Sequence, residues 1–283
     1  MVTLSDYAGL KPAWCPGCGN FGILEALNRA LIEMEIEPHQ VLLVSGIGQA
    51  GKLPHYTRGN VFNSLHGRPV PPAIGARIAN SELIVIAISG DGDAYGEGGN
   101  HFLHAARRNH DITYLVHNNQ VYGLTKGQAS PTSDVGFITK TTPYGAASPV
   151  NPIALAIVSG ASFVGRGFAG DIDHLSHLIK KGITHRGFAL IDILQPCVSF
   201  NHKNTFQWYR ERVYKLEDER YAPSDKKAAL EKALMWGEEI PIGIIYEENL
   251  PIYEDQLPAL SEVPLVKQKI DPRRVEKLLA EFI

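Results

Sequence analysis

The chain has 283 residues, 44% hydrophobic and 20% charged, enough for one large domain or two small ones with a full core. A net charge of −3 and a pI near 6.4 leave no basic footprint, so no nucleic acid partner is expected. The longest clean apolar run, residues 83–88, is far too short to span a bilayer, so no membrane is expected either. The first six residues lack the basic-then-apolar pattern of a signal peptide, which makes the cytoplasm the expected compartment. Three cysteines, two of them in Cys15-Pro16-Gly17-Cys18, argue against a disulfide framework and for a metal or cluster site under reducing conditions.

A first helix is predicted over 20–35, with Asn20 as its N-cap and apolar residues at 23, 24, 27, 31 and 34 on one face. Short apolar, often β-branched runs follow at 41–45, 83–89, 112–117, 161–164 and 188–194 and read as buried parallel strands. Helices are predicted between them over 72–79, 98–108, 151–159 and 173–181, the last with Asp173 as N-cap and Gly182 as stop. Alternating strands and helices define an α/β fold, a doubly wound parallel sheet covered on both faces, with ligands expected at the carboxyl ends of the strands.

The pattern changes near Asn201. Residues 203–235 are charged and read as helical, 242–247 as one more strand, 251–264 as a Pro-spaced stretch, and 272–282 as a closing helix. The expected organisation is a cofactor-binding domain over 1–200 and an extension over 201–283 that packs on the domain or on a partner.

The stretch Ser89-Gly90-Asp91-Gly92-Asp93-Ala94-Tyr95-Gly96-Glu97-Gly98-Gly99 leaves a strand, is dense in glycine and carboxylate, and enters a helix. Glycines let backbone approach a phosphate closely, and a helix N-terminus offers N–H groups to an anion. The acids repel a phosphate unless a cation stands between them, and Mg²⁺ bridging a diphosphate meets that need. The next strand ends in Asn118-Asn119-Gln120-Val121-Tyr122-Gly123, far enough on for a helix and a returning parallel strand. Asp91 and Asn119 therefore reach adjacent strand ends, an acid and an amide oxygen suited to Mg²⁺. Gly-Asp-Gly or Asn-Asn alone is ordinary turn chemistry. In this order and at this spacing the pair resembles the thiamine diphosphate fingerprint.

With Cys15-Pro16-Gly17-Cys18-Gly19, Ser45-Gly46-Ile47-Gly48, Leu65-His66-Gly67-Arg68 and Val121-Tyr122-Gly123-Leu124-Thr125-Lys126-Gly127-Gln128, the chain resembles the β subunit of a 2-oxoacid:ferredoxin oxidoreductase of the 2-oxoglutarate type. The resemblance implies the thiamine diphosphate-binding fold and CoA-dependent oxidative decarboxylation of a 2-oxo acid. Electrons would leave singly through an iron–sulfur cluster to ferredoxin, and coenzyme A would collect the acyl group. An α subunit would cover the aminopyrimidine, so this chain alone would hold an incomplete site. Mg²⁺ would be held by Asp91, Asn119 and the carbonyl of Val121. The cofactor would be touched by Ile47, Gly48, Gln49, Ala50, His66, Gly90, Gly92, Asp93, Tyr122, Gly123, Leu124 and Thr125. Lys52 and Leu124 would face the substrate beside His66, Lys52 suited to a distal carboxylate.

The family's cluster is a [4Fe–4S] cubane on four cysteines. Cys15, Cys18 and Cys197 match three of them, and the remaining position is Gln49. A cluster with a non-cysteine fourth ligand, a three-iron cluster and a zinc site all remain open for these thiols. Two other functions remain open: a non-redox thiamine-dependent decarboxylase or carboligase, and a non-catalytic regulatory subunit of the same fold.

Overall fold

The computed structural model describes residues 1–260, 263–269 and 271–282, the side chain of Arg274 excepted. Among these residues ten strands run in chain order as β1 (Val41–Ser45), β2 (Asn60–Asn63), β3 (Ile84–Gly90), β4 (Thr113–Asn118), β5 (Val121–Tyr122), β6 (Gln128–Ala129), β7 (Phe163–Phe168), β8 (Ala189–Leu194), β9 (Val213–Lys215) and β10 (Ile240–Glu247). The helices are α1 (Asn20–Glu33), α2 (Val70–Ala79), α3 (Gly99–Arg108), α4 (Pro152–Ser159), α5 (Ile172–Thr184), α6 (Phe206–Arg210), α7 (Lys226–Leu234) and α8 (Pro272–Ala280).

Eight strands form one sheet in the order β2-β1-β3-β4-β8-β7-β10-β9, with β5 and β6 as a separate antiparallel ribbon. The six strands from β2 to β7 are parallel; β10 runs antiparallel to β7, and β9 pairs parallel with β10. Successive side chains of a strand point to opposite faces, so a strand buried on both faces feeds two cores. Along β3, Val85 and Ala87 enter one core and Ile86 and Ile88 the other. Along β4, Tyr114 and Val116 separate from Leu115 in the same way. Helices α2, α3, α4 and α7 cover the first face and α1 and α5 the second. Phe102 of α3 stacks edge-on to Tyr95 in the first core. Truncating such a side chain to Ala costs about 3–5 kcal/mol.

The strands predicted at 41–45, 83–89, 112–117 and 188–194 correspond to β1, β3, β4 and β8. The strand predicted at 161–164 runs instead to Phe168, through Gly165-Arg166-Gly167. The glycines there are packing devices: a Cβ on Gly167 would lie 2.6 Å from a methyl of Leu175 in α5. Three local expectations are corrected. Asn20 does not cap α1, where Gly19 holds the N-cap position; its side chain turns inward to His117. Asp171, not Asp173, caps α5 by accepting from the His174 amide, and Asp173 pairs with Arg29 at the surface. Gly182 does not stop that helix, which continues to Thr184; a Cβ there would press on Ile191. The region 203–235 is not continuously helical, since β9 separates α6 from α7. With β9 and β10, the residues after 200 contribute two strands to the sheet begun by β1.

Candidate active site

The carboxyl ends of β1, β3 and β4 open onto a pocket of about 100 Å³. Its wall is made of residues 47–50, His66, 90–93, Asn119 and 121–125, the segments singled out by motif. After β3 the chain enters a wide π-turn, Gly92–Glu97, closed by the Gly98 amide on the Asp93 carbonyl at 2.9 Å, before α3 begins. Such turns insert extra backbone where a site needs it.

Asp93 ties the wall together. It is 2% exposed, and its Oδ1 accepts from the amides of Gly67 at 2.7 Å and Ile47 at 3.1 Å and meets His66 Nδ1 at 2.5 Å. Its Oδ2 accepts from Ser89 at 2.6 Å. A Cβ on Gly46 would sit 1.8 Å from that oxygen, which explains the glycine. The resemblance implies a cofactor contact for the backbone around Asp93; its carboxylate braces three segments of the wall and orients His66. Glu97 stands 3.7 Å from Nε2 of His66 and accepts from the Tyr122 hydroxyl at 3.2 Å.

Asp91 is 1% exposed, and burial pushes its carboxyl up to about 6, against the hydroxyls of Ser130 and Thr132 that donate to Oδ2. Asn119 Oδ1 accepts from the Val121 amide at 3.0 Å, and all three residues line the pocket. A buried acid beside an amide and a backbone carbonyl is a hard-oxygen donor set suited to Mg²⁺, so the residues fit the ion. Ser130 and Thr132 were not legible in the sequence: hydroxyl residues in an irregular loop show no periodic signal.

Lys52 is half-buried on the turn Ala50–His55 but does not line the pocket. Leu124 lines it and is substantially exposed.

The Cys15 turn is closed by the Cys18 amide on the Cys15 carbonyl at 3.0 Å, and the Gly19 amide binds the Pro196 carbonyl at 3.1 Å, drawing the turn toward Cys197. Trp14 Nε1 donates to the Gln49 carbonyl at 2.8 Å, tying the same turn to the cofactor pocket. Burial pushes the Cys18 thiol up to about 11, and Cys15 and Cys197 are near enough to act in the same direction. All three thiols are free, and the Gln49 amide oxygen is buried with no hydrogen-bond partner. Among the described residues no three of His, Cys, Asp and Glu are drawn into a group close enough to hold a metal ion. Nor is any helix among them long and apolar enough to cross a membrane.

Residues 45–193 match the family "Thiamine pyrophosphate enzyme, C-terminal TPP binding domain", in agreement with a pocket at the strand ends walled by Asp91 and Asn119. The fold is that of a thiamine diphosphate enzyme. Residues 197–262 match the family of the C-terminal region of the pyruvate ferredoxin oxidoreductase β subunit. The 2-oxoacid:ferredoxin oxidoreductase subunit beta of Saccharolobus solfataricus is 50% identical over 267 residues, 88% of each chain. That of Sulfolobus sp is 48% identical over 262 residues, 88% of this chain and 86% of the relative. A solved structure, 2-oxoglutarate:ferredoxin oxidoreductase from Magnetococcus marinus with 2-oxoglutarate, coenzyme A and succinyl-CoA bound, superposes with a TM-score of 0.91 at 36% identity, covering 98% of this chain and 96% of that one. The chain belongs to the β-subunit family of the 2-oxoacid:ferredoxin oxidoreductases.

Proposed function

We propose that this subunit holds the diphosphate half of thiamine diphosphate through Mg²⁺ bound by Asp91, Asn119 and the Val121 carbonyl. In this reading it works with an α subunit in the CoA-dependent oxidation of 2-oxoglutarate or a related 2-oxo acid, passing electrons to ferredoxin in the cytoplasm. The observation that carries the reading is the buried Asp91 carboxylate, which lines the pocket together with Asn119 and is held by the hydroxyls of Ser130 and Thr132. The bound cofactor supplies a thiazolium carbon that takes up the electrons left when carbon dioxide departs.

The protein's own groups have separable tasks. The hydroxyls of Ser130 and Thr132 fix one oxygen of Asp91 and leave the other for the ion. Asp93 holds the loops carrying Ile47 and His66 at the mouth. Leu124 offers an apolar surface to the substrate, and Lys52 a cation for a distal carboxylate if loop 50–55 turns it toward the pocket. Cys15, Cys18 and Cys197 would hold an iron–sulfur cluster beside the cofactor, with the unpartnered Gln49 oxygen as the fourth donor from this chain.

Edge strand β2 supports the α partner: all four of its residues are exposed, including Val61 and Phe62, and Leu65 continues the apolar patch up to His66. An exposed apolar edge beside an open site is what a second polypeptide laid over it would bury. The test is reduction of a viologen dye by the purified αβ complex. The reading requires dependence on both a 2-oxo acid and coenzyme A; reduction without coenzyme A, or none at all, would overturn it.

A further inference from the structure

A second cavity, of about 240 Å³, lies on the α4 and α7 face of the sheet, at the carboxyl ends of β4, β8 and β7. Its mouth is apolar, formed by Pro149, Val150, Leu234 and the half-exposed Trp236. Its floor is polar, and two opposite charges meet there. Arg166 of β7 and Asp192 of β8 are register partners on adjacent parallel strands, and both line the cavity.

No direct ion pair joins the two, although each lies near enough to favour the other's charged form. Arg166, 4% exposed, donates to two backbone carbonyls, Pro241 at 3.3 Å and Ala233 at 3.2 Å. That leaves part of a five-donor guanidinium unused. Asp192, 2% exposed, accepts from Tyr95 at 2.7 Å and from Asn118 at 3.1 and 3.2 Å. Burial holds its carboxyl above the usual range, against the opposing pull of the Tyr95 hydroxyl, the nearby Arg166 and the Asn118 amide. The remaining acid of the lining, Asp134, is occupied: Lys203 sits 2.8 Å from one oxygen, and Trp236 Nε1 donates to the other at 3.0 Å. The latter bond also fixes the indole at the mouth. The N-terminus of α4 reaches the cavity at Pro152 and Ile153 and favours a negative group there.

Buried charges are stable when matched, and a buried cation and anion held side by side but bonded elsewhere are matched together by a molecule carrying both signs. We infer that this cavity is a second ligand site, for a small zwitterion with an apolar body, that is, an α-amino acid. Its carboxylate would meet Arg166, its ammonium group Asp192, and its side chain the Trp236, Pro149 and Leu234 mouth. The site shares no lining residue with the cofactor pocket, which it adjoins through Thr132, the donor to Asp91.

The test is isothermal titration of the full chain with L-leucine as probe, with and without saturating thiamine diphosphate and Mg²⁺. Saturable leucine binding that the cofactor does not displace is expected. 4-Methylpentanoate, which lacks the ammonium, and leucinamide, which lacks the carboxylate, should each bind at least about tenfold more weakly. Arg166→Gln should weaken leucine to the same degree. Leu234→Trp, which narrows the mouth at a side chain 67% exposed, should block binding without burdening the core and decides the question if Arg166→Gln does not fold. No saturable binding at millimolar leucine, unchanged binding in Leu234→Trp, equal binding of 4-methylpentanoate, or displacement by the cofactor would each overturn the site.

Discussion

Asp93 Oδ1 lies 2.5 Å from Nδ1 of His66, and the same oxygen accepts from the amides of Gly67 and Ile47. One carboxylate thus sets both the shape of the wall and the orientation of its imidazole. Asp93→Ala leaves several buried donors unsatisfied and should destabilise the chain by on the order of 3 kcal/mol. His66→Ala removes a half-exposed ring and should cost about 1 kcal/mol or less while lowering turnover of the complex. Urea denaturation of both variants checks the order; a His66 variant as unstable as the Asp93 variant would make His66 a structural residue.

Asp91→Ala removes the carboxylate proposed to hold Mg²⁺ and should abolish Mg²⁺-dependent binding of thiamine diphosphate in calorimetry. Asn119→Ala should weaken it by less. Ser130→Ala and Thr132→Val, which free the carboxylate to turn, should weaken it by about 10- to 100-fold, the usual effect of losing a group that orients a ligand. Normal cofactor affinity in the Asp91 variant would remove the basis for the metal assignment.

Lys52 gives a test of substrate choice. If it turns toward a distal carboxylate, Lys52→Ile should raise KM for 2-oxoglutarate roughly 10- to 100-fold and leave that for pyruvate nearly unchanged, as expected for one charged hydrogen bond. Steady-state kinetics with the two acids measures this directly, and equal effects would leave Lys52 with no part in recognition.

The cluster assignment is tested by iron. An oxygen donor at Gln49 is a harder and weaker ligand for cluster iron than a thiolate. Anaerobically prepared protein should therefore show a three-iron signal in electron paramagnetic resonance after mild oxidation, and Gln49→Cys should suppress it. Anaerobic protein without iron that still reduces ferredoxin would refute the assignment.

His117 makes stability depend on pH. It is fully buried, its Nδ1 is 2.7 Å from Asn20 Oδ1 and its Nε2 has no partner, and burial pushes its pKa down to about 3. A base with a depressed folded pKa is neutral when folded and protonated when unfolded, so its stability contribution is lost as pH falls from about 6.5 toward 3, by at most ~1.4 kcal/mol per pH unit. His117→Gln keeps a donor for Asn20 and should flatten this part of the profile; an unchanged slope in thermal melts would assign it to other groups.

The apolar runs at β1, β3, β4 and β8 were legible because a strand buried on both faces has no room for polar residues. β2 was not, since Asn60-Val61-Phe62-Asn63 at an exposed edge carries neither an apolar run nor alternation. β7 was only half visible because Gly165 and Gly167, poor strand formers alone, are required by the leucines of α5 packed above them. At the site, the motif segments did converge on one pocket, because glycine-rich turns and strand ends leave local marks. The brace through Asp93 and the anchors at Ser130 and Thr132 exist only once distant loops meet.

Antiparallel β10 has a further consequence, for the order in which the fold becomes complete during synthesis. Until residues 240–247 leave the ribosome, β7 is an open edge whose every side chain is destined for burial. The parallel core can assemble before then, but it carries that sticky margin until the last part of the chain is made. Chains truncated before Ile240 should aggregate rather than yield a smaller soluble domain.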